Sequence, residues 1–356
     1  MEWLWIAVAT CVLVSCSVKD DWWFEYEEGI RHYSKEALNK EFPEKTRPVS
    51  FKHPAFQCPD MSPSPSVPSS EFVKVADIKV IAALGDSLTI GGYGSFQDVI
   101  TLAIIKLFNP KLVGAAPGKT VHGMQAHISE TGFNLAVTGQ NTNLPGQTRH
   151  LIDTLRGYEG LNFEQDWKLL TILMGMNDIC DYCKDKQALF SVDNFIHYIT
   201  VSLEMLMNEV PRMIVNVVQI LPMQTLREVQ KPTPGCLLQS FCSCLIEPVA
   251  KSPELRELVE VNLEFQKRLE QLLHSDRFFK DDFAVVLQPF LKHADPPRLP
   301  NGKIDMTFFT HDCFHFTIKG HEELAKGLWN NMFQPEGGKM IVSSFSDPIS
   351  LICPPM

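Results

Sequence analysis

Ile81-Ala82-Ala83-Leu84-Gly85-Asp86-Ser87-Leu88-Thr89 is the stretch from which the rest of the chain can be read. Lys79 to Leu84 is a short, mainly apolar run, as a strand buried on both faces of a parallel sheet requires. Gly85 breaks it, and Asp86 and Ser87 follow at once. A serine on the turn after a buried strand sits at the carboxyl end of the sheet, where open α/β sheets place their sites. A serine hydroxyl is a weak nucleophile on its own. It needs a histidine to take its proton, a group to orient that histidine, and N–H donors for the oxyanion that forms.

Outward from this stretch, strand-like and helix-like patterns alternate. The expected strands are Lys79–Leu84, Gly132–Val137, Leu169–Met174, Met213–Ile220 and Ala284–Leu287. The expected helices are Phe96–Phe108, Leu144–Tyr158, Asp193–Val210, Pro253–His274 and Thr317–Met332. The Pro253 helix is the clearest, with Ser252 as its cap, proline at its first position, and leucines and a valine at helical spacing. Such alternation predicts an α/β fold with a parallel sheet of about five strands and helices on both faces.

The partners that Ser87 requires also stand where strands end. Gly139 follows the second expected strand and can offer a backbone N–H. Asn177, in Gly175-Met176-Asn177-Asp178, follows the third and carries a neutral side-chain donor. Near the C-terminus, Asp312 and His315 are three apart in Asp312-Cys313-Phe314-His315, which on a tight turn brings a carboxylate to the imidazole. Each fragment alone is an ordinary turn or cap. Their joint occurrence, in this order and at these positions, is what carries weight.

The ordered set Ser87, Gly139, Asn177 and His315 resembles the GDSL, or SGNH, hydrolase superfamily. The resemblance implies a three-layer α/β/α sandwich around a central parallel sheet. It implies Ser87 as nucleophile, His315 as base and Asp312 as its orienting partner. The oxyanion hole would comprise the N–H groups of Ser87 and Gly139 and the side chain of Asn177. Several stretches are similar to the membrane-associated phospholipase B branch: Gly85–Thr89, Asn162–Lys168, Asn177–Cys183, Glu209–Arg212 and Asp312–Thr317. That branch implies hydrolysis of acyl esters of phospholipids and lysophospholipids without a cofactor or metal. Two further readings keep the fold: a lipid-binding protein that has lost turnover, and a carbohydrate acetyl esterase. The interval from Ser87 to Gly139 looks shorter than in that branch, so a substrate-facing loop after Thr89 is expected to be cut down. His311 stands where an acidic residue is expected, and a second imidazole there would alter the local charge balance.

Leu4 to Ser17 is an apolar run ending in small residues, so residues 1–17 read as a signal peptide. Residues 18–71 form an N-terminal extension that includes the Pro/Ser-rich connector Pro59–Ser70, read as extended and weakly ordered. Residues 72–356 form the hydrolase domain. With a signal and no apolar C-terminal tail, the expectation is a secreted protein that touches lipid surfaces transiently through apolar loops. A net charge of -10 without any basic block argues against nucleic acid as a partner.

Of ten cysteines, Cys11 and Cys16 fall in the signal, leaving an even number, as disulfides in an oxidising compartment require. Cys180 and Cys183 are expected to pair with each other beside the Asn177 loop. Cys313 is expected to pair at long range, with Cys353 a candidate. Cys180-Asp-Tyr-Cys183 and Cys242-Ser-Cys244 also admit a zinc site, although their intervals match no zinc ribbon.

Overall fold

The computed structural model describes residues 56–90, 101–116, 127–141, 144–185, 188–229, 242–310 and 312–355. Residues 1–17, expected to be a signal peptide, lie outside them, as do His311 and the first part of the expected Phe96–Phe108 helix. Five strands form one sheet: β1 (Ile78–Gly85), β2 (Trp167–Leu173), β3 (Met213–Val218), β4 (Phe279–Lys280) and β5 (Phe283–Gln288). The spatial order is β1-β2-β3-β5-β4. All neighbours run parallel except the short β4, which is antiparallel to β5.

β1, β2, β3 and β5 are largely apolar because both faces of the sheet are covered, and every residue of β2 is buried. One of them is Lys168, whose ammonium donates to the carbonyls of Phe163 (2.5 Å), Asp166 (2.7 Å) and Pro211 (2.9 Å). Three acceptors make burial of a charge tolerable, yet burial still pulls this lysine down to about 8.

The helices that cover the sheet and shape its carboxyl edge are α1 (Ser87–Ile90), α2 (Thr101–Phe108), α3 (Leu144–Gly157), α4 (Met176–Asp181), α5 (Val192–Glu209), α6 (Ser243–Ile246), α7 (Pro253–Leu273) and α8 (Ile318–Met332). α5 packs on both α3 and α7 in one layer, while α2 and α8 pack together in the other. The result is a three-layer α/β/α sandwich. The ends of α7 and α8 follow local chemistry. Ser252 Oγ accepts from Leu255 N–H at 3.2 Å with Pro253 in the first turn, and Thr317 Oγ1 caps α8 through Gly320 N–H.

Gly132–Val137, expected as a strand, is an extended segment with a single bridge, Asn134 to Ala83. It still bonds along β1, through Ala83 N–H to Phe133 O, Leu135 N–H to Ala83 O and Val137 N–H to Gly85 O, all 2.9–3.0 Å. The edge of β1 is shared: Val113 already occupies its first half, bonding Lys79 and Ile81. Too little edge remains for a full strand.

The Pro/Ser-rich stretch, expected to be weakly ordered, is pinned to the domain. Cys58 is bonded to Cys353, Ser64 N–H donates to Asp77 Oδ1 at 2.8 Å, and Ser70 N–H donates to Asp281 O at 2.6 Å. Among the described residues no helix is long and apolar enough to cross a membrane.

The cysteine pairing differs from expectation. Cys180 is bonded to Cys242, and Cys183 to Cys244. Cys313 is also disulfide-bonded, but not to Cys353, which Cys58 occupies. The reason is tertiary. α6 packs against α4 and sets Cys242-Ser-Cys244 alongside Cys180-Asp-Tyr-Cys183, so two rungs form between segments in place of one ring within a segment. The sulfurs that a zinc ion would need are thereby taken.

Candidate active site

β1 delivers Ser87 through a turn that only glycine can make. Gly85 has φ +152°, and a Cβ there would lie 2.2 Å from Thr89 Oγ1 and 2.3 Å from Leu173 O. Asp86 then turns inward. Its Oδ1 accepts from Leu88 N–H at 2.9 Å, which starts α1 at Ser87. Asp86 is 1% exposed, and its Oδ2 has no hydrogen-bond partner. Burial, with Asp178 nearby, raises this carboxyl to about 7 against the pull of Leu88 N–H and His315.

The partners of Ser87 arrive on the loop before α8. Ser87 Oγ lies 2.7 Å from His315 Nε2, and His315 Nδ1 lies 2.6 Å from Asp312 Oδ2. Three groups meet end to end although Ser87 and His315 are 228 residues apart. Asp312 is fixed by its other oxygen, which accepts from Thr310 Oγ1 (2.5 Å), Phe314 N–H (3.0 Å) and His315 N–H (2.9 Å). Burial acts to raise this carboxyl, but His315 and Thr310 outweigh it and hold it well below the ordinary carboxylate range. It is therefore an anion at neutral pH, able to orient the imidazole and to stabilise it when charged. Cys313, at φ 55°, supplies the left-handed residue that lets this turn close.

The other two expected residues follow β1 and β2, Gly139 on a turn and Asn177 in the first turn of α4, and the two segments are joined to each other. Gly139 has φ 72°, is exposed, and has nothing within 4 Å of where a Cβ would lie. Gly175, also left-handed, sets the start of α4, and Asn177 Nδ2 donates to Gln140 O at 2.9 Å. One amide hydrogen of Asn177 thus ties the Gly139 turn to α4. The two disulfides from Cys180 and Cys183 then tie α4 to α6.

Sequence reasoning missed Gln147. From α3 its side chain brackets Gly85, accepting from Gly85 N–H at 2.9 Å and donating to Gly85 O at 2.8 Å. Thr310 was missed too. A glutamine on an amphipathic helix carries no local signal. Thr310, two residues before Asp312, could have been suspected as a short hydroxyl flanking an acid.

Residues 81–328 match the family described as GDSL-like Lipase/Acylhydrolase. The chain is 38% identical to "Phospholipase B1, membrane-associated" of Homo sapiens, over 84% of this chain and 22% of that protein. The corresponding protein of Mus musculus is 37% identical over the same shares. The chain thus spans about a fifth of the length of the curated relatives it matches. Among solved structures, a GDSL-like lipase from Parabacteroides merdae aligns with a TM-score of 0.38 at 15% identity, covering 70% of this chain and 92% of that one. The family match takes in most of the chain and every residue from Ser87 to His315: the protein belongs to the GDSL-like lipase/acylhydrolase family and is an ester-hydrolysing enzyme.

Proposed function

We propose that this protein is a secreted phospholipase of the phospholipase B and lysophospholipase type, cleaving acyl esters through Ser87, His315 and Asp312. The observation that carries the reading is the unbroken line of short contacts from Ser87 Oγ through His315 to Asp312. Ser87 Oγ attacks the ester carbonyl carbon while its proton passes to His315 Nε2. The carbonyl oxygen becomes an oxyanion, which takes hydrogen bonds from the Ser87 and Gly139 N–H groups and from the Asn177 side chain. On collapse the C–O bond to the alcohol breaks, and the alcohol leaves with the proton held by His315. Water then attacks the acyl-serine with His315 again as base, releasing the fatty acid and restoring Ser87. Asp312 keeps Nδ1 protonated so that Nε2 faces the serine. No metal or cofactor enters these steps.

Identity to phospholipase B1 supports the lipid substrate, and the disulfides support an oxidising compartment. Residues 1–17 act as the signal and 72–356 as the catalytic domain, with 18–71 an extension. Contact with membranes is reversible, and nucleic acid plays no part. The test is a serine-directed fluorophosphonate probe on the secreted protein, followed by a panel of phospholipid, lysophospholipid and acetylated-sugar esters. Labelling at Ser87 with turnover of the lipid esters is expected. A protein that hydrolyses only the sugar acetates, or is labelled elsewhere, refutes the assignment.

A further inference from the structure

α4 spans only Met176–Asp181, too short to hold its place by helical hydrogen bonding alone. It carries Asn177 in its first turn, and it is coupled to the Gly139 turn at both ends. Asn177 Nδ2 donates to Gln140 O at 2.9 Å, and Asn141 Nδ2 donates to Asp181 Oδ2 at 3.2 Å. A shift of α4 therefore moves both of the oxyanion donors that lie outside the Ser87 turn.

From its other side α4 is held covalently. Cys180, within it, and Cys183, just past its end, are bonded to Cys242 and Cys244. The Cys183 N–H also donates to Cys244 Sγ at 3.1 Å. α6, which receives both bridges, is itself anchored by Arg227, whose guanidinium donates to Leu245 O at 2.6 Å and Pro248 O at 2.9 Å. The two bridges differ in access. Cys180, Cys242 and Cys244 are 1%, 0% and 3% exposed, whereas Cys183 is exposed. Thiol–disulfide exchange needs a sulfur that the attacking thiolate can reach, so the outer bridge is the one open to attack.

We propose that the Cys183–Cys244 bridge is a thiol-sensitive clamp on the oxyanion hole, through which small external thiols lower turnover. The proposal rests on Asn177 and Gly139 being the oxyanion donors. An external thiolate attacks Cys183 Sγ, the S–S bond breaks, and Cys244 leaves as a thiolate that takes up a proton. A second thiol then displaces Cys183 from the mixed disulfide. One protein disulfide is reduced, and two small thiols are oxidised to their own disulfide. The buried Cys180–Cys242 bridge stays closed, so α4 loosens without leaving.

The test exposes the intact protein to graded reduced glutathione, traps free thiols in one portion with iodoacetamide and locates them by peptide mass spectrometry. In untrapped portions, kcat and KM are measured on a lysophospholipid, and hydrogen exchange is followed over α4. Cys183 and Cys244 should be trapped before any other pair. At that point kcat should have fallen by about tenfold with KM near its starting value, short of the roughly 10²–10³-fold cost of losing a donor outright. Oxidised glutathione should restore it. Cys183→Ser/Cys244→Ser protein should have the lowered kcat from the start and ignore the thiol. If it does not fold, the wild-type series decides alone. Full kcat with Cys183 and Cys244 open, earlier opening of another bridge, or a loss that reoxidation does not restore overturns the proposal. Hydrogen exchange needs no substrate and separates the clamp from the catalytic assignment. Absence of turnover in untreated protein would count against the phospholipase reading. Unchanged exchange over α4 once Cys183 and Cys244 are free would overturn the clamp.

Discussion

The side-chain amide of Gln147 closes on the peptide of Gly85 from both sides, accepting one hydrogen bond from its N–H and donating one to its carbonyl. Both groups are buried, and Gly85 is the last residue before the Asp86-Ser87 turn. Gln147 is a positioning residue: it touches no reacting atom but holds the turn that presents one.

Gln147→Ala should leave a buried N–H and a buried carbonyl unpaired, costing about 1–3 kcal/mol of stability. It should also let the serine drift, with kcat falling by up to about 10²-fold while KM stays near its starting value. Urea melts and ester kinetics on the same preparation test both. A variant that loses stability but keeps full kcat would make Gln147 purely structural.

Ser87→Ala and His315→Ala should each lower kcat by about 10⁴–10⁶-fold with little change in stability, because neither side chain belongs to the core. Since the two act as a unit, the double variant should be hardly worse than either single one. Saturating-substrate rates decide it, and substantial activity left in Ser87→Ala would sink the assignment.

Asn177→Ala is expected to cut kcat by about 10²–10³-fold, as for loss of one oxyanion donor. It also removes the hydrogen bond to Gln140 O, so a urea melt of the same variant separates the loss of that tie from the loss of the oxyanion donor. A change confined to KM would point to substrate binding instead.

Asp86 makes stability depend on pH. Its carboxyl is raised from the ordinary 3.8 to about 7 in the folded protein, first by burial. Across that window the folded state keeps a proton that the unfolded chain has released, so stability falls as pH rises. Asp86→Asn cannot titrate and should flatten this slope. Denaturant midpoints at about pH 5 and about pH 8 give the answer, and an Asn variant with the wild-type slope would assign it to another group.

Much of the fold could be read from local pattern. β2, β3, β5 and the later part of β1 are apolar runs with polar breaks at their ends, because burial on both faces leaves no room for alternation. α7 could be placed almost to the residue, since Ser252 and Pro253 mark its start by chemistry that needs no neighbour. The Ser87, Asp312 and His315 constellation was legible because its members lie at strand ends or in a short turn. What was not legible depends on distant segments. The Gly132–Val137 strand failed because Val113 takes part of the same edge. The Cys180 and Cys183 pairing failed because α6 arrives from more than sixty residues away. Gln147 failed because its target lies 62 residues earlier in the chain.

The bond between Cys58 and Cys353 joins residues 295 apart in sequence. Between them the polypeptide is a ring. A protease that cuts the exposed turn at Asn301–Lys303 opens that ring without severing the molecule. Ser87 and His315 would then lie on separate polypeptides and still travel as one particle. Such nicked material would run near its full mass on a gel without reductant and as two pieces with it. Backbone cleavage and physical separation are thus distinct events for this enzyme, and the reducing power of its surroundings decides whether the first becomes the second.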